Sequence, residues 1–289
     1  MRRISPPTVN AEDLFVTCVN SISNMDLRAR LLSLLPDIAN AAIEYSIQGH
    51  LQSLYTIAAC NVKDEDIVIG QVTKKELKST YSDHMAPQSK PARNVYDLIM
   101  ATAPRRRCPF CGLGVASTLD HYLPKAKFPL LSVTPLNLVP ACKDCNHGKQ
   151  ASIATEQSKQ TLHPYFDREE LEREQWLFAD LSPTTPPVLE FKAIPPHDWP
   201  AVDKQRVITH FESYGLDVRF SVESSNELAS LREILSILWE SDGVDGVRDL
   251  LTVSAQGKRR QHANSWETAM FQALAGSDWY CDGGFRDFD

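Results

Sequence analysis

The sequence predicts an α+β protein that is mostly helical and has a small metal-centred ββα segment in its middle. Apolar residues recur at helical spacing over residues 11–60 and again in the last third of the chain. Two CxxC pairs between residues 108 and 145 enclose short apolar runs of strand length. With 43% apolar and 23% charged residues, the chain has the composition of an ordinary folded globular protein.

Residues 1–92 form the first predicted region, which is helical. The helical spacing over 11–60 is interrupted at Pro36, which we expect to end or kink the second helix, and a further helix is predicted over 40–54. In the polar stretch 63–88 the apolar residues show no clear helical or strand periodicity. A short helix over 93–103 leads into the CxxC segment and opens the second region, residues 93–167.

The third region, residues 168–289, is predicted to be mainly helical and to contain a proline-rich connector. A charged helix over 168–176 precedes the prolines, and the connector holds a strand over 188–192. Apolar spacing predicts helices over 202–214, 226–240, 244–253 and 265–274, together with one strand over 216–222.

The opening residues and the cysteines indicate the compartment. The chain opens with two arginines but no apolar signal segment, and no run approaches the roughly 18 apolar residues that span a membrane. We therefore expect a cytoplasmic protein with no membrane partner. Seven is an odd number of cysteines, and four of them fall in two CxxC pairs, which in that compartment favours metal binding over disulfides. Cys18, Cys60 and Cys281 lie outside the CxxC pairs and are expected to be small buried apolar side chains.

The two CxxC pairs predict one structural Zn²⁺ ion. Thirty residues separate Cys111 from Cys142, and each pair can form a tight turn that offers two thiolates. A tetrahedral shell of Cys108, Cys111, Cys142 and Cys145 leaves no coordination position for water. The zinc is therefore expected to be a structural clamp, and the chemistry is expected to come from residues beside it.

Three polar residues near the cysteines carry the expected chemistry. Asp120 and His121 stand at the end of a strand predicted over 116–119 and point to opposite faces, so we assign them separate roles. A carboxylate binds a hard divalent cation, and an imidazole with a pKa near neutral can take a proton from water. Asn146 directly follows the last cysteine and should open a helix, and its oxygen suits Mg²⁺ or Mn²⁺ as a second ligand.

The distribution of charge predicts a nucleic-acid partner, although the net charge of the chain is −7. Residues 88–150 hold nine basic and three acidic residues, whereas the remainder holds 21 basic and 34 acidic residues. Local field rather than total charge attracts a phosphate backbone. The alternative is that this basic cluster is only a solvated face. The residues expected to contact nucleic acid are Arg105, Arg106, Arg107, Lys125 and Lys149.

The order CxxC, Asp-His, Asn, CxxC-Asn over residues 108–149 resembles the HNH (ββα-metal) endonucleases that carry an additional zinc on four cysteines. The resemblance is closest to the branch that contains phage junction-resolving enzymes. It implies that His121 is the general base and that Asp120 and Asn146 bind the catalytic ion. It also implies that Asn137 ties down the loop between the two strands and so holds His121 in position.

A looser resemblance concerns bacterial HNH proteins of anti-phage defence systems, some of which act beside an ATPase, as in Septu-type systems. It rests on residues 120–146 and on the later run 163–167, and it implies a defence nuclease with an ATPase partner. Two assignments stay open. His147 is the cation ligand if the helix is shifted by one residue. His163 and Asp167 either extend the active site or belong to a turn that packs its aromatic residues on the zinc lobe.

The sequence as a whole predicts a metal-dependent endonuclease that hydrolyses phosphodiester bonds of DNA. One alternative is a zinc-knuckle module that binds nucleic acid or protein without cleavage. The other keeps the nuclease but makes RNA its substrate, and nothing in the sequence separates these substrates.

Overall fold

The protein is described by a computed structural model, which covers residues 1–148 and 153–286 and divides into two compact units. Unit 1 is Met1–Asp167 and unit 2 is Arg168–Asp289. About half of the described residues lie in α-helices, and this part of the chain also forms three antiparallel two-stranded sheets. The predicted α+β class is therefore confirmed. Residues 1–92 and 93–167, two separate regions in the sequence prediction, both lie in unit 1.

Unit 1 contains six helices and four strands among its described residues. The helices are α1 (Ala11–Asn20), α2 (Met25–Leu32), α3 (Leu35–His50), α4 (Lys74–Ser82), α5 (Arg93–Ala101) and α6 (Lys143–Gly148). The strands are β1 (Ile67–Ile69), β2 (Val72–Thr73), β3 (Thr118–His121) and β4 (Leu138–Ala141).

The core of unit 1 is formed by the helix faces that the apolar spacing predicts. Leu14, Phe15 and Cys18 of α1 are buried in one cluster with side chains of α2, α4, α5 and β3. Cys18 and Cys281 are thus the buried residues that we expected, whereas Cys60 is only partly buried. Pro36 lies in the first turn of α3, where its missing N–H removes no helical hydrogen bond, so the break between α2 and α3 precedes it.

The polar stretch 63–88, which showed no clear period, contains β1, β2 and α4. Helix α4 begins at a capping box, in which the Thr73 hydroxyl accepts from the Glu76 N–H and the Glu76 carboxylate accepts from the Thr73 N–H. The Lys74 ammonium is buried and donates to two backbone carbonyls of the preceding loop. A buried charge needs such partners, so this network fixes α4 against that loop.

Unit 2 contains a β-hairpin and a set of helices. The strands are β5 (Leu177–Ser182) and β6 (Val188–Ala193), and they pair in register over six residues each. The helices are α7 (Glu170–Arg173), α8 (Ala201–Ser213), α9 (Leu216–Gln261), α10 (Trp266–Ala275) and α11 (Asp278–Cys281). Among all described residues, no helix combines the length and apolar character that crossing a bilayer requires.

Two predictions for unit 2 are wrong. The charged helix over 168–176 is only the single turn α7, because the backbone N–H groups of Trp176 and Leu177 donate to the Asn264 side chain and the chain continues as β5. The strand over 216–222 is the start of α9. Its apolar residues alternate in sequence, but the buried positions follow a helical period, beginning with Leu216 and Phe220.

A single glycine interrupts the long helix α9. Gly243 has φ 64° and ψ −155°, a conformation that residues with a Cβ adopt only under strain. The two helices predicted over 226–240 and 244–253 lie on either side of this break. The sequence therefore indicated the interruption even though the structure continues the helix on both sides.

We predict that Gly243→Ala destabilises unit 2 by about 1–3 kcal/mol, because alanine must adopt the strained backbone of this position. Gly257 supplies the matched control, since it lies in the same helix with open space around its Cα. Gly257→Ala should be neutral or stabilise by up to about 1 kcal/mol. The measurement is the unfolding midpoint of each variant in a denaturant titration. Equal shifts for the two variants would show that the break at Gly243 is not strained.

Candidate active site

The four cysteines of the CxxC pairs converge in unit 1. The Sγ atoms of Cys108, Cys111, Cys142 and Cys145 are buried and lie within 4.8 Å of one another. The Sγ atoms of Cys111 and Cys142 are 3.9 Å apart, far beyond the about 2.0 Å of a disulfide. A tetrahedral zinc with bonds of about 2.3 Å separates its sulfurs by about 3.8 Å. The cluster therefore fits the structural zinc that the sequence predicts.

Backbone geometry aims the sulfurs inward. In the first turn Gly112 has φ 71°, and the N–H groups of Leu113 and Gly114 each donate to the Cys111 Sγ at 3.4 Å. In the second turn the Cys145 N–H donates to the Cys142 Sγ at the same distance. Donors aimed at sulfur favour its ionised form, which is the form that binds zinc.

Without a cation the four thiols cannot ionise together. A hydrogen bond from Cys108 lowers the pKa of Cys142 to about 6, whereas burial raises the pKa of Cys108. Negative charge on Cys111 also raises the pKa of Cys108 and of Cys142, so ionisation of one sulfur opposes ionisation of its neighbours. A divalent ion at the centre removes this conflict, because each coordinating thiol then loses its proton.

The polar residues of the segment lie on β3, directly before β4 and on helix α6 in succession. Strand β3 pairs with β4 so that Asp120 lies opposite Val139 and His121 opposite Leu138. The strand that we predicted over 116–119 is thus displaced by two residues and includes Asp120 and His121 as its last two positions. Helix α6 starts directly after Cys142, which brings Asn146 towards β3.

Asp120 and Asn146 face the same side of β3. Thr118 and Asp120 are two residues apart on the strand and so share one face, and the Asn146 Nδ2 lies 3.4 Å from the Thr118 Oγ1. Asp120 is buried, and its Oδ2 atom makes no hydrogen bond within the described residues. A carboxylate and an amide oxygen are the donors that Mg²⁺ or Mn²⁺ prefers, with water completing the shell. The donor set therefore fits the predicted catalytic ion.

His121 is buried on the opposite face and is fixed by the backbone. Its Nε2 lies 2.8 Å from the carbonyl oxygen of Ser132, and the ring of Tyr81 meets the imidazole edge-on at a centroid distance of 4.4 Å. A carbonyl oxygen only accepts, so Nε2 carries the proton and Nδ1 is the basic nitrogen. Burial lowers the pKa of His121 to about 3, which corrects the near-neutral pKa expected from the sequence.

Asn137 bridges the connection between the two strands. Its side chain is fully buried, and its Oδ1 accepts from the Leu123 N–H at 2.7 Å. Its Nδ2 donates to the carbonyls of Leu123 at 3.0 Å and Leu131 at 3.2 Å. These bonds join the segment just after His121 to the segment just before Ser132, and so they set the distance between the two partners.

The basic residues fall into two groups. The side chains of Arg105, Arg106 and Arg107 are exposed, and the first two have φ of 52° and 59°, in the left-handed region. Lys125 is partly buried, since its Nζ bonds the Ser82 hydroxyl at 2.8 Å and lies 4.6 Å from the centroid of the Tyr81 ring. The predicted contact at Lys149 lies outside the described residues.

The sequence left the roles of His147 and His163 open, and the structure gives these two residues different surroundings. His147 is exposed, and its Nδ1 lies 2.8 Å from the Lys143 carbonyl of the same helix, so the inward position belongs to Asn146. His163 is buried, and its Nε2 lies 3.0 Å from the hydroxyl of Tyr45 on α3. The run 163–167 therefore packs aromatic rings on α3 and on Tyr122 beside β3, and its Tyr165 hydroxyl donates to the Leu138 carbonyl of β4 at 2.7 Å.

Three residues of this site were missed by the sequence reasoning. Tyr81 lies 40 positions before His121, in the stretch that showed no clear period. Ser132 acts through its carbonyl oxygen, which no side-chain pattern reveals. Thr118 was treated only as part of a strand, although its position two residues before Asp120 places it on the same face.

Comparison with known proteins gives a distant relative. The chain is similar to Protein ea31 of Escherichia phage lambda, with 26% identity over 291 residues that cover 96% of this chain and 98% of the relative. No family model matches the chain, and no solved structure matches it. The likeness extends over nearly both whole chains, but at this identity it assigns no family, and the relative's name states no activity.

We predict that the folded protein binds one zinc per chain, because four converging sulfurs match its preferred shell. Cys145→Ser should remove the ion and loosen unit 1, as metal binding supplies much of the folding free energy of such segments. Cys60→Ser, at a partly exposed position outside the cluster, is the control and should retain zinc. The measurement is zinc content together with thermal unfolding. Soluble, folded wild-type protein without zinc would contradict the assignment.

Proposed function

We propose that this protein is a metal-dependent nuclease of the HNH (ββα-metal) type that hydrolyses phosphodiester bonds of DNA. One observation carries the proposal. A strand presents Asp120 on one face and a buried, hydrogen-bonded His121 on the other, while a helix that begins inside the cysteine cluster places Asn146 beside Asp120's face. A binding module has no need for this pairing of an oriented base with oxygen donors.

His121 acts as the general base through Nδ1. The Ser132 carbonyl holds the proton on Nε2, so the imidazole is neutral and Nδ1 can accept a proton from water. Burial lowers the pKa of His121 to about 3, so the ring is not protonated in advance at physiological pH. A substrate phosphate and its hydration bring charge and water to this position, and both raise the basicity of the ring.

Asp120 and Asn146 would hold the catalytic Mg²⁺ or Mn²⁺, which when bound neutralises charge on the reacting phosphate and the leaving oxygen. The protein contributes the placement of these two oxygen donors. The Asn146 Nδ2 donates to the Thr118 hydroxyl, and this hydrogen bond directs the Asn146 amide oxygen away from Thr118. The four cysteines bring the helix that carries Asn146 together with the turn that precedes β3.

The exposed arginines supply the contact to the nucleic-acid backbone. Each left-handed arginine costs about 1 kcal/mol relative to a residue that adopts this conformation readily. Asparagine or glycine would adopt the backbone conformation of residues 105 and 106 at a lower free-energy cost. What arginine adds at these two positions is the positive charge of its side chain. Arg107 follows in extended conformation, and its guanidinium bonds the Leu113 carbonyl of the first cysteine turn.

The biological setting of the proposal is anti-phage defence, with an ATPase as partner protein. This part rests on the looser resemblance alone. The run 163–167, which carries part of that resemblance, packs beside β3 through Tyr122 and so belongs to the structural support of the site.

We predict that the purified protein cleaves plasmid DNA with Mg²⁺ or Mn²⁺ and that His121→Ala lowers the rate by at least roughly 100-fold, because the base is lost. Mn²⁺ affinity, measured by calorimetry, should be kept in His121→Ala and weakened in Asp120→Ala. His147→Ala removes an exposed imidazole of the adjacent helix and is the matched control with normal cleavage.

Structured RNA is tested beside the plasmid in the same assay. Cleavage of RNA alone would move the substrate from DNA to RNA and keep the mechanism. Nucleic-acid binding without any metal-dependent cleavage would replace the nuclease with the binding module. Equal loss of Mn²⁺ affinity in the His121 and Asp120 variants would refute the division of roles.

We predict that Arg105→Asn/Arg106→Asn weakens DNA binding without destabilising the protein, because asparagine tolerates the left-handed backbone. Each lost phosphate contact should reduce the slope of log affinity against log salt by about 0.9. Binding is measured at several salt concentrations in a His121→Ala background. Arg259→Ala/Arg260→Ala, an exposed pair in α9, matches the change in charge and should leave the slope unchanged. An unaltered slope in the asparagine variant would make the turn purely structural.

A further inference from the structure

Helix α4 carries an aromatic residue into the surroundings of His121. Tyr81, on the last turn of α4, is 9% exposed, and its ring lies edge-on to the imidazole with an interplanar angle of 75°. Its hydroxyl donates to the backbone carbonyl of Leu119 at 3.3 Å, one residue before Asp120. A single side chain thus contacts both the strand and the imidazole that the strand carries.

The imidazole of His121 is held on two sides. The Ser132 carbonyl accepts from Nε2, and the Tyr81 ring packs against the imidazole. A half-turn of the imidazole about its Cβ–Cγ bond would exchange Nδ1 with a carbon and break the bond to Ser132. The edge-on ring contact opposes that rotation sterically. Two restraints therefore select one orientation of the imidazole.

A lysine covers the Tyr81 ring in turn. The Lys125 Nζ lies 4.6 Å from the ring centroid and is held by the Ser82 hydroxyl at 2.8 Å. A cation over an aromatic face attracts the ring electrostatically. Because Lys125 follows β3 and Ser82 ends α4, this contact ties the end of the strand to the end of the helix and fixes Tyr81 between them.

We propose that Tyr81 is a positioning residue for His121, holding the imidazole with Nε2 on the Ser132 carbonyl and Nδ1 available to the substrate. This inference rests on the proposed nuclease function for its effect on rate. Its structural part concerns only the orientation of one ring and stands independently of any activity.

The competing explanation is that Tyr81 only fills the core of unit 1, and the chain offers a matched control for it. Tyr96 on α5 belongs to the same buried cluster, is 8% exposed and lies 6.5 Å from the Tyr81 ring between centroids. Its charged neighbour is Arg93. Tyr96→Leu therefore removes a buried tyrosine from the same core without removing the ring that touches His121.

The experiment compares Tyr81→Leu, Tyr81→Phe and Tyr96→Leu in the full-length, zinc-loaded protein. The ring nitrogens of His121 are observed by ¹⁵N NMR, and the signal is assigned by its absence in His121→Ala. Single-turnover cleavage of plasmid DNA is measured at saturating protein, with DNA affinity measured separately. Thermal unfolding reports the loss of packing in each variant.

Tyr81→Leu should lower the cleavage rate by roughly 100-fold at unchanged DNA affinity, since a small displacement of a reacting group has this effect. It should also replace the single Nε2-protonated signal of His121 with a mixture. Tyr81→Phe keeps the ring and should restore most of the rate and the single signal. Tyr96→Leu should lose comparable stability while keeping both the rate and the signal.

A single unchanged His121 signal in Tyr81→Leu, or equal losses of rate in Tyr81→Leu and Tyr96→Leu, would overturn the positioning role. If the wild-type protein cleaves no nucleic acid, the proposed function fails, and the NMR comparison still decides whether Tyr81 orients His121.

Discussion

The arrangement of the candidate site depends on four cysteine sulfurs held within 4.8 Å of one another. The first pair lies in a turn just before β3, and the second joins the end of β4 to the start of α6. The cluster therefore connects the beginning of one strand to the beginning of the helix that faces it. A helix of six residues has little stability of its own, so its position comes from this attachment. Asn146 reaches the face of Asp120 for that reason, and zinc at the cluster would make the placement rigid.

A second constraint comes from the helical part of unit 1. The buried Asn137 sets the path of the chain between His121 and Ser132, while α4 supplies Tyr81 to the opposite side of the imidazole. The orientation of His121 thus depends on Tyr81, 27 positions upstream of Cys108, as well as on its own loop. The segment from Cys108 to Asn146 carries the candidate site residues, and helix α4 packs against one of them, His121. Experiments can separate these two contributions. The cysteine cluster affects the candidate cation donors, whereas the helical part of unit 1 affects His121.

The sequence indicated features whose cause is local and missed those that arise from tertiary contacts. The CxxC spacing located the sulfur cluster, and alternation along a strand placed Asp120 and His121 on opposite faces. The near-neutral pKa of His121 was wrong because burial, which no local pattern reports, lowers it. Residues 216–222 were mistaken for a strand because apolar residues alternate there, although burial at Leu216 and Phe220 follows a helix. Tyr81 gave no signal, since its contact with His121 exists only in the folded chain.

The central claim is that one short segment builds two different metal environments, with soft sulfur ligands for zinc and hard oxygen ligands for a catalytic cation. The most direct measurement is anomalous diffraction from crystals grown with Mn²⁺, recorded at the manganese and zinc absorption edges. The account predicts a zinc peak at the centre of the four sulfurs and a manganese peak within coordination distance of the Asp120 carboxylate and the Asn146 amide oxygen. Manganese that binds elsewhere, or zinc at Asp120 with the cysteines empty, would contradict it.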